Sequence, residues 1–376
     1  MKKAFHFFMP CLMFVTILGC SAGDKEDTVV RQPDTNEKHP YEIEVVAEGL
    51  NVPWEMVIAE DGRLFFTERP GQIREIKNGK VVEEPLLSLP APFVSEGEGG
   101  LLGLALDLDF QTNHYMYTYH SYEDNGIIRN RVLRLVVEEN HARIDKVILD
   151  GIVGDTNHNG GRLKIGPDGM LYITAGDRYK PELAQNQTSM GGKIFRIHRD
   201  GSIPDDNPIE ESPVYSYGHR NPQGLAWHPE TGDLFSSEHG QSAHDEVNII
   251  EAGKNYGWPI IQGEGTKEGM ESPIAHSGSE TWAPSGITFV SKGKWKNQLL
   301  VANLRGMQVL KFELDESGKQ VKKIESLFKE EYGRIRNITE APDGSLYMMT
   351  NNRDGRGNPN EKDDRIIRLV LRNTDI

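Results

Sequence analysis

Cysteine is almost missing from this chain: the 376 residues contain two, Cys11 and Cys20. Both precede the region that reads as folded, so no disulfide can staple a core even in an oxidising compartment. Positive charge is also in deficit. Lys and Arg number 42 against 57 Asp and Glu, a formal net charge of -15. That excludes a general nucleic-acid binder, which needs a basic footprint, but leaves room for a local cationic pocket. No apolar run is long enough for a spanning helix, which needs roughly 20 residues; the stretch Ala4 to Leu18 is shorter and broken by His6 and Pro10. Amphipathic helical patterns are scarce as well, which excludes a helical bundle. Turn formers are abundant instead, with Gly 39 and Pro 20, as suits many short strands joined by tight turns.

The N-terminus reads as an address. Lys2 and Lys3 precede the apolar stretch, and Ile17-Leu18-Gly19-Cys20 follows it. This order fits an export signal, and its end resembles a bacterial lipobox. Residues 1–19 are then a lipoprotein-type signal peptide cut before Cys20. The protein is expected outside the cytoplasm, held to the membrane only through an N-terminal lipid. An ordinary signal peptide with an incidental cysteine is the alternative. Residues 20–40, rich in charge and nearly free of apolar side chains, are expected to form a solvated tether. The folded domain is expected over 41–376.

Within that domain one pattern recurs, a turn followed by an apolar strand. It appears as AEDGRLFFTE, DFQTNHYMYTYH, GPDGMLYITAGD, HPETGDLFSSEHG, KGKWKNQLLVANL and APDGSLYMMTNN, whose strands start at Leu64, Tyr115, Leu171, Leu234, Leu299 and Leu346. Six copies about 56 residues apart fill Tyr41 to Ile376, and self-similarity at such a period marks propellers or solenoids. Each period holds four short strands, the content of one blade. The expectation is an all-β, six-bladed β-propeller in one domain. A pair of β-sandwiches would not repeat the turn six times.

In such a fold the long loops gather around the axis, where ligands bind. Four loop clusters carry chemistry-bearing side chains. Asn157-His158-Asn159-Gly160-Gly161 offers His158 as a general base or as a hydrogen-bonded structural histidine. Tyr217-Gly218-His219-Arg220-Asn221 offers Arg220 for a carboxylate or a developing oxyanion. Ser237 to Glu246, with Asn255-Tyr256-Gly257-Trp258, carries carboxylates and free carbonyls that suit Ca²⁺, or else forms a solvated turn. Arg305, Arg334 and Arg336 suggest an anionic ligand on an acidic chain, or surface placement.

The segments HNGGRLKIGPDG, GSIPDDNP, YGHRNPQGLAWHP, DEVNIIEAGKNYGWP and RIRNITEAPDGSLY together resemble the soluble pyrroloquinoline-quinone (PQQ) dependent aldose sugar dehydrogenases, the glucose/sorbosone dehydrogenase family. The likeness spans roughly residues 42 to 371. It implies PQQ on the axis, bound Ca²⁺, and oxidation of a small-molecule aldose at C1 to its lactone. Residue by residue, it implies His158 as the catalytic base and Arg220 and Asn221 beside the quinone carbonyls. Backbone carbonyls of Gly240 and Gln241 correspond to the ligands of the cofactor calcium, and Glu246 and Tyr256 to a second, structural calcium. Thr281, the segment Asn303-Leu304-Arg305 and the segment Arg334-Ile335-Arg336 correspond to cofactor contacts, the arginines meeting the PQQ carboxylates. The electron acceptor, and whether the chain is a monomer or a homodimer, do not follow.

Three positions depart from the family pattern. Glu98, before Gly-Gly-Leu-Leu-Gly, stands where Gln is common. As a carboxylate facing an anionic cofactor it weakens binding unless an arginine pairs with it or a proton neutralises it. On that footing Glu98→Gln should tighten PQQ binding, and native binding should improve as pH falls toward 5. Asn157 replaces an Asp beside the catalytic histidine, and Arg178 stands in place of a Gln. Two further readings compete: a non-redox extracellular propeller that binds a sugar or partner protein, and a calcium-dependent lactonase, which the basic residues disfavour.

Overall fold

The computed structural model describes residues 41–371. The export signal, Cys20, the tether and residues 372–376 lie outside the described residues. Six antiparallel sheets of four or five strands follow one another around a ring. The first comprises Pro53–Ile58, Leu64–Glu68, Gln72–Lys77 and two short pieces, and the second Leu101–Leu106, Tyr115–Asp124, Ile127–Val137 and Ala142–Val153. The third contains Leu163–Ile165, Leu171–Ala175, Lys193–Ile197 and Val214–Tyr217; the fourth contains Pro222–Trp227, Leu234–Glu238, Glu246–Ile250 and Ala275–His276. Pro284–Phe289, Leu299–Asn303, Gln308–Leu314 and Val321–Leu327 make the fifth.

The sixth blade closes the ring. Ile335–Glu340, Leu346–Thr350 and Ile366–Leu371 are followed by the N-terminal strand Tyr41–Ala47, which pairs antiparallel with Ile366–Leu371. One blade thus holds both ends of the folded chain, with the N-terminal strand as its outer edge. The six-bladed propeller expected from the repeat is the observed fold, and each of the six strand starts is the first residue of a blade's second strand.

The repeated turn joins first and second strands. In GPDGMLYI, the Gly169 N–H donates to Gly166 O at 2.9 Å with Gly169 at φ 77°, a conformation that costs glycine nothing. Blades one and six use the same turn at Gly62 and Gly344. The strands that follow are not half-buried, as simple alternation implies. Leu64–Glu68, Leu171–Ala175, Leu234–Glu238 and Leu299–Asn303 are buried at every position, because each sheet is sandwiched between two neighbours. Six apolar clusters result, one between each pair of adjacent blades. Truncating a ring such as Phe66, fully buried between blades six and one, costs about 3–5 kcal/mol. No helix among the described residues is long and apolar enough to cross a membrane.

Candidate active site on the propeller axis

The innermost strand of each blade faces the axis, and polar side chains meet there. Glu55 from blade one pairs with Arg162 and accepts from Asn337 of blade six. Arg162 Nε donates to Gln223 O at 2.7 Å, and Arg336 Nη1 donates to Gln223 Oε1 at 2.9 Å. Trp54 lies under both guanidinium groups, 4.2 Å from Arg162 and 5.6 Å from Arg336. Buried polar groups survive only when paired, and this network is the satisfied floor of the site.

Above the floor is a cavity of about 770 Å³ whose wall carries Arg69, Arg305, Arg334, Arg336 and Arg356. Two carboxylates, Glu98 and Asp354, share the same wall. Arg334 binds Asp354 Oδ2 through Nε and Nη2, at 3.0 and 2.7 Å. Arg336 is fixed on Asn351 Oδ1 at 3.1 and 2.8 Å, and burial pulls its pKa down to about 9. Arg305 is exposed on the wall. Cations exceed anions here by the side chains of five residues against two, so the cavity favours an anion.

His158 is buried just outside this lining, next to Asn159 and Gly160, which belong to it. Glycines press its loop onto blade three: a Cβ on Gly160 would lie 2.6 Å from Thr174 O, and one on Gly176 would lie 2.1 Å from His158 O. His158 itself adopts φ 56°, a conformation uncommon outside glycine. Its Nδ1 lies 2.7 Å from Asp177 Oδ1. Asp177 is fully buried and is fixed in turn by Trp258 Nε1 at 2.8 Å and the Tyr179 N–H at 2.9 Å. Tyr179 covers the imidazole, with ring centres 3.9 Å apart. A carboxylate on Nδ1 sets the tautomer and leaves Nε2 as the nitrogen free to accept a proton. The carboxylate that Asn157 cannot supply therefore arrives from the end of a strand, through a residue that the sequence reading missed.

Glu98 is not a free charge. Its Oε1 pairs with Arg356 Nη1, its Oε2 accepts the His158 N–H at 3.2 Å, and Arg356 Nη2 reaches Asn157 Oδ1 at 2.9 Å. Burial pushes the Glu98 pKa up, but Arg356 and the hydrogen bonds outweigh it and hold the carboxyl below the ordinary range. Of the alternatives open for this residue, the structure carries the paired one, and protonation near pH 5 is not required. Arg178, by contrast, turns away to Asp155 at 3.3 Å.

The third cluster forms a separate, ion-sized pocket of about 10 Å³ in blade four, lined by Arg220, Glu238, His239, Gly240, Glu246, Tyr256 and Gln262 among others. Such a volume holds about one water or ion. Burial, then the nearby Glu238, pushes the Glu246 pKa up to about 8, and Gln262 Oε1 has no hydrogen-bond partner. Two buried carboxylates and a free amide oxygen fit a divalent cation. Gln241 is exposed and outside this lining. Arg220 is anchored through its N–H on Glu238 and by Nη1 to His239 O at 3.2 Å. Asn221 is fully buried; its Oδ1 accepts from Gly160 at 3.0 Å while its Nδ2 has no partner.

The other expected contacts divide. Leu304 lines the cavity beside Arg305. Asn303 is buried behind it and donates to Val301 O at 2.7 Å, leaving Oδ1 unpaired. Ile335, between the two arginines, points the other way, because strand neighbours alternate faces; it is fully buried with Val309, Phe328 and Met348. Thr281 donates to Ser242 O at 3.0 Å and is outside the cavity lining.

The family profile described as glucose/sorbosone dehydrogenase matches residues 50–368. The chain belongs to this family. Among solved structures it is similar to the PQQ-bound aldose sugar dehydrogenase of Streptomyces coelicolor, with 36% identity, a TM-score of 0.80, and coverage of 88% of this chain and 98% of that one. The aldose sugar dehydrogenase YliI of Escherichia coli is 31% identical over 83% of this chain and 91% of its own length. Quinoprotein glucose dehydrogenase B of Acinetobacter calcoaceticus is 27% identical over 89% of each. In this member of the glucose/sorbosone dehydrogenase family, the axial cavity and the His158–Asp177 pair are the candidate active site.

Proposed function

We propose that this protein oxidises the C1 hydroxyl of an aldose to the lactone, with PQQ as the hydride acceptor and Ca²⁺ beside it. The observation that carries this is the His158–Asp177 pair next to the Asn159–Gly160 wall of an arginine-lined cavity, in a chain whose relatives are named aldose sugar and quinoprotein glucose dehydrogenases. Bound in the cavity, PQQ supplies the two-electron acceptor for the C1 hydride, and Ca²⁺ supplies positive charge that polarises it. The residues present fit that group. Arg69, Arg305, Arg334 and Arg336 can offset its carboxylates, and the unpartnered Asn221 Nδ2 is a buried donor awaiting an acceptor.

His158 Nε2 takes the proton of the C1 hydroxyl. Asp177 keeps Nδ1 protonated and stabilises the imidazolium that forms. Arg220 lies within this electrostatic frame and stabilises oxyanion charge. The expected ions are one Ca²⁺ held by Glu246, Glu238 and Gln262 near Tyr256, and a cofactor Ca²⁺ at the Gly240–Gln241 carbonyls. Export and a lipid anchor at Cys20 belong to the same proposal, and Cys20→Ser should release the protein from the membrane fraction.

The test is reconstitution. Purified apo-protein with PQQ and Ca²⁺ should reduce an artificial dye when given aldoses. His158→Ala should lower turnover by roughly 10² to 10⁴ while PQQ still binds; full activity with PQQ bound would reject His158 as base. Absence of PQQ binding in the presence of Ca²⁺ would favour a non-redox propeller.

A further inference from the structure

Outside the axial cavity and the ion pocket, one group of three metal-ligating side chains meets among the described residues. His244, Glu264 and His276 each place a ligand atom within 4.8 Å of the other two. They come from two loops and the outer strand of blade four. His244 follows the Gly240 loop, Glu264 lies in the segment between the third and fourth strands, and His276 ends the short fourth strand, opposite Glu246. His244 Nδ1 is shielded from solvent and has no hydrogen-bond partner; the Glu264 carboxylate is 3.8 Å from it. An imidazole nitrogen left unpaired in this way is costly unless something fills the gap.

We propose that His244, His276 and Glu264 form a binding site for a divalent transition metal of the zinc class, distinct from any calcium site. Two imidazoles and one carboxylate are the ligands such an ion selects, whereas Ca²⁺ takes six to eight oxygens. Tetrahedral bonds of about 2.0–2.2 Å set ligand atoms roughly 3.4 Å apart, so the three side chains must close only slightly. Glu264 is free to do so, with 73% of its side chain exposed. His276 Nδ1 lies 4.0 Å from the same Glu264 oxygen and accepts the Gly278 N–H at 3.1 Å, a bond that it exchanges for the metal. Water completes the coordination on the solvent side.

The surrounding backbone already brings these segments to one point. The His244 N–H donates to Gly278 O at 3.0 Å, and the Gly263 N–H donates to Glu246 Oε1 at 2.7 Å. Gly263 lets the chain approach, since a Cβ there would sit 2.9 Å from His244 Nδ1. The ion therefore clips the segments after Gly240 and Gln262, which also wall the ion pocket, to the fourth strand, while sharing no ligand with that pocket. The inference does not depend on the activity proposed above, because its readout is binding.

Titrating ZnCl₂ into the full chain with Ca²⁺ saturating, followed by calorimetry and thermal melting, tests the site. One Zn²⁺ per chain should bind and raise the melting temperature. His244→Ala and His276→Ala should each weaken binding by about 100-fold or more, beyond the loss typical of an outer-shell partner. Glu264→Gln, at an exposed position that cannot compromise the fold, should weaken it by about 10-fold. His141→Ala, at an exposed surface histidine, should change nothing. Zn²⁺ binding that survives Glu264→Gln and both histidine variants unchanged, or no binding at millimolar metal, would overturn the proposal.

Discussion

Two histidine–carboxylate pairs lie on neighbouring blades, and they are built for different ends. His219 is fully buried, with Nδ1 2.9 Å from Glu238 Oε2 and Nε2 2.9 Å from Ser216 Oγ. Its ring is stacked on Tyr256 at 4.8 Å, so both nitrogens are spent. His158 has the same kind of partner on Nδ1, yet it adjoins the cavity-lining Asn159 and Gly160, with Nε2 uncommitted. A carboxylate partner alone does not mark a base. The nitrogen left over does, together with a place where a substrate can reach it.

The largest effects should come from breaking each pair in turn. His158→Ala should remove activity, by the factor given above, with a smaller loss of stability, because Asp177 keeps the Trp258 Nε1 and Tyr179 N–H bonds. His219→Ala should do the reverse first. It leaves the buried Glu238 with the Arg220 N–H as its remaining partner and opens a gap under Tyr256, which costs about 3 kcal/mol. Differential scanning calorimetry with PQQ binding measured alongside checks the division. Equal destabilisation by both variants would erase the contrast drawn between them.

Next in size is the cation expected beside Glu238. An ion bound only to the folded state stabilises it by mass action, about 2.7 kcal/mol at a hundredfold excess over its dissociation constant. With no cysteine in the described residues, no disulfide can substitute. Exhaustive chelation should therefore lower the melting temperature as well as activity, and Glu246→Gln should make the protein insensitive to chelator. An unchanged melting curve would remove the ion from this pocket.

How much of this was legible in the sequence depends on whether a residue acts through its own neighbourhood or through a distant one. Strand starts such as Leu171 and Leu346 were readable because the turn before them is local chemistry. His158, Arg334 and Arg336 were readable because they sit inside long segments that resemble one family. Asp177 was not, although it ends the repeat GPDGMLYITAGD; its role exists only because glycines press the 157–161 loop onto its strand. Arg356 and Asp354 lie in the stretch NNRDGRGNPN, which has neither repeat nor motif, and they enter the site through tertiary approach alone. Ile335 belongs to a segment that the resemblance assigns to the cofactor, but strand alternation turns its side chain into the core.

The smallest and most discriminating effect concerns Glu98 and Arg356. A carboxyl whose pKa is depressed on folding adds stability above its unfolded value, and that stability is lost as pH falls through the folded value. Glu98 therefore stays ionised and paired from pH 8 down to about 5, within the span set by its lowered pKa. PQQ affinity of the native protein should be flat over that range, and Glu98→Gln should not tighten binding. Arg356→Gln should behave differently. It strips the guanidinium from a half-exposed pair and leaves Glu98 facing the anionic ligand, so affinity should fall by about 10-fold, or ~1.4 kcal/mol, after allowing for solvent screening. In that variant alone, binding should improve as pH drops, because a proton then does what Arg356 did. Adding Glu98→Gln to Arg356→Gln should recover most of the loss and flatten the pH response again. Titration of PQQ into the four proteins decides it. A native protein whose affinity climbs toward pH 5 would mean that Arg356 does not hold Glu98 in solution, and the rim carboxylate would return to being an uncompensated charge.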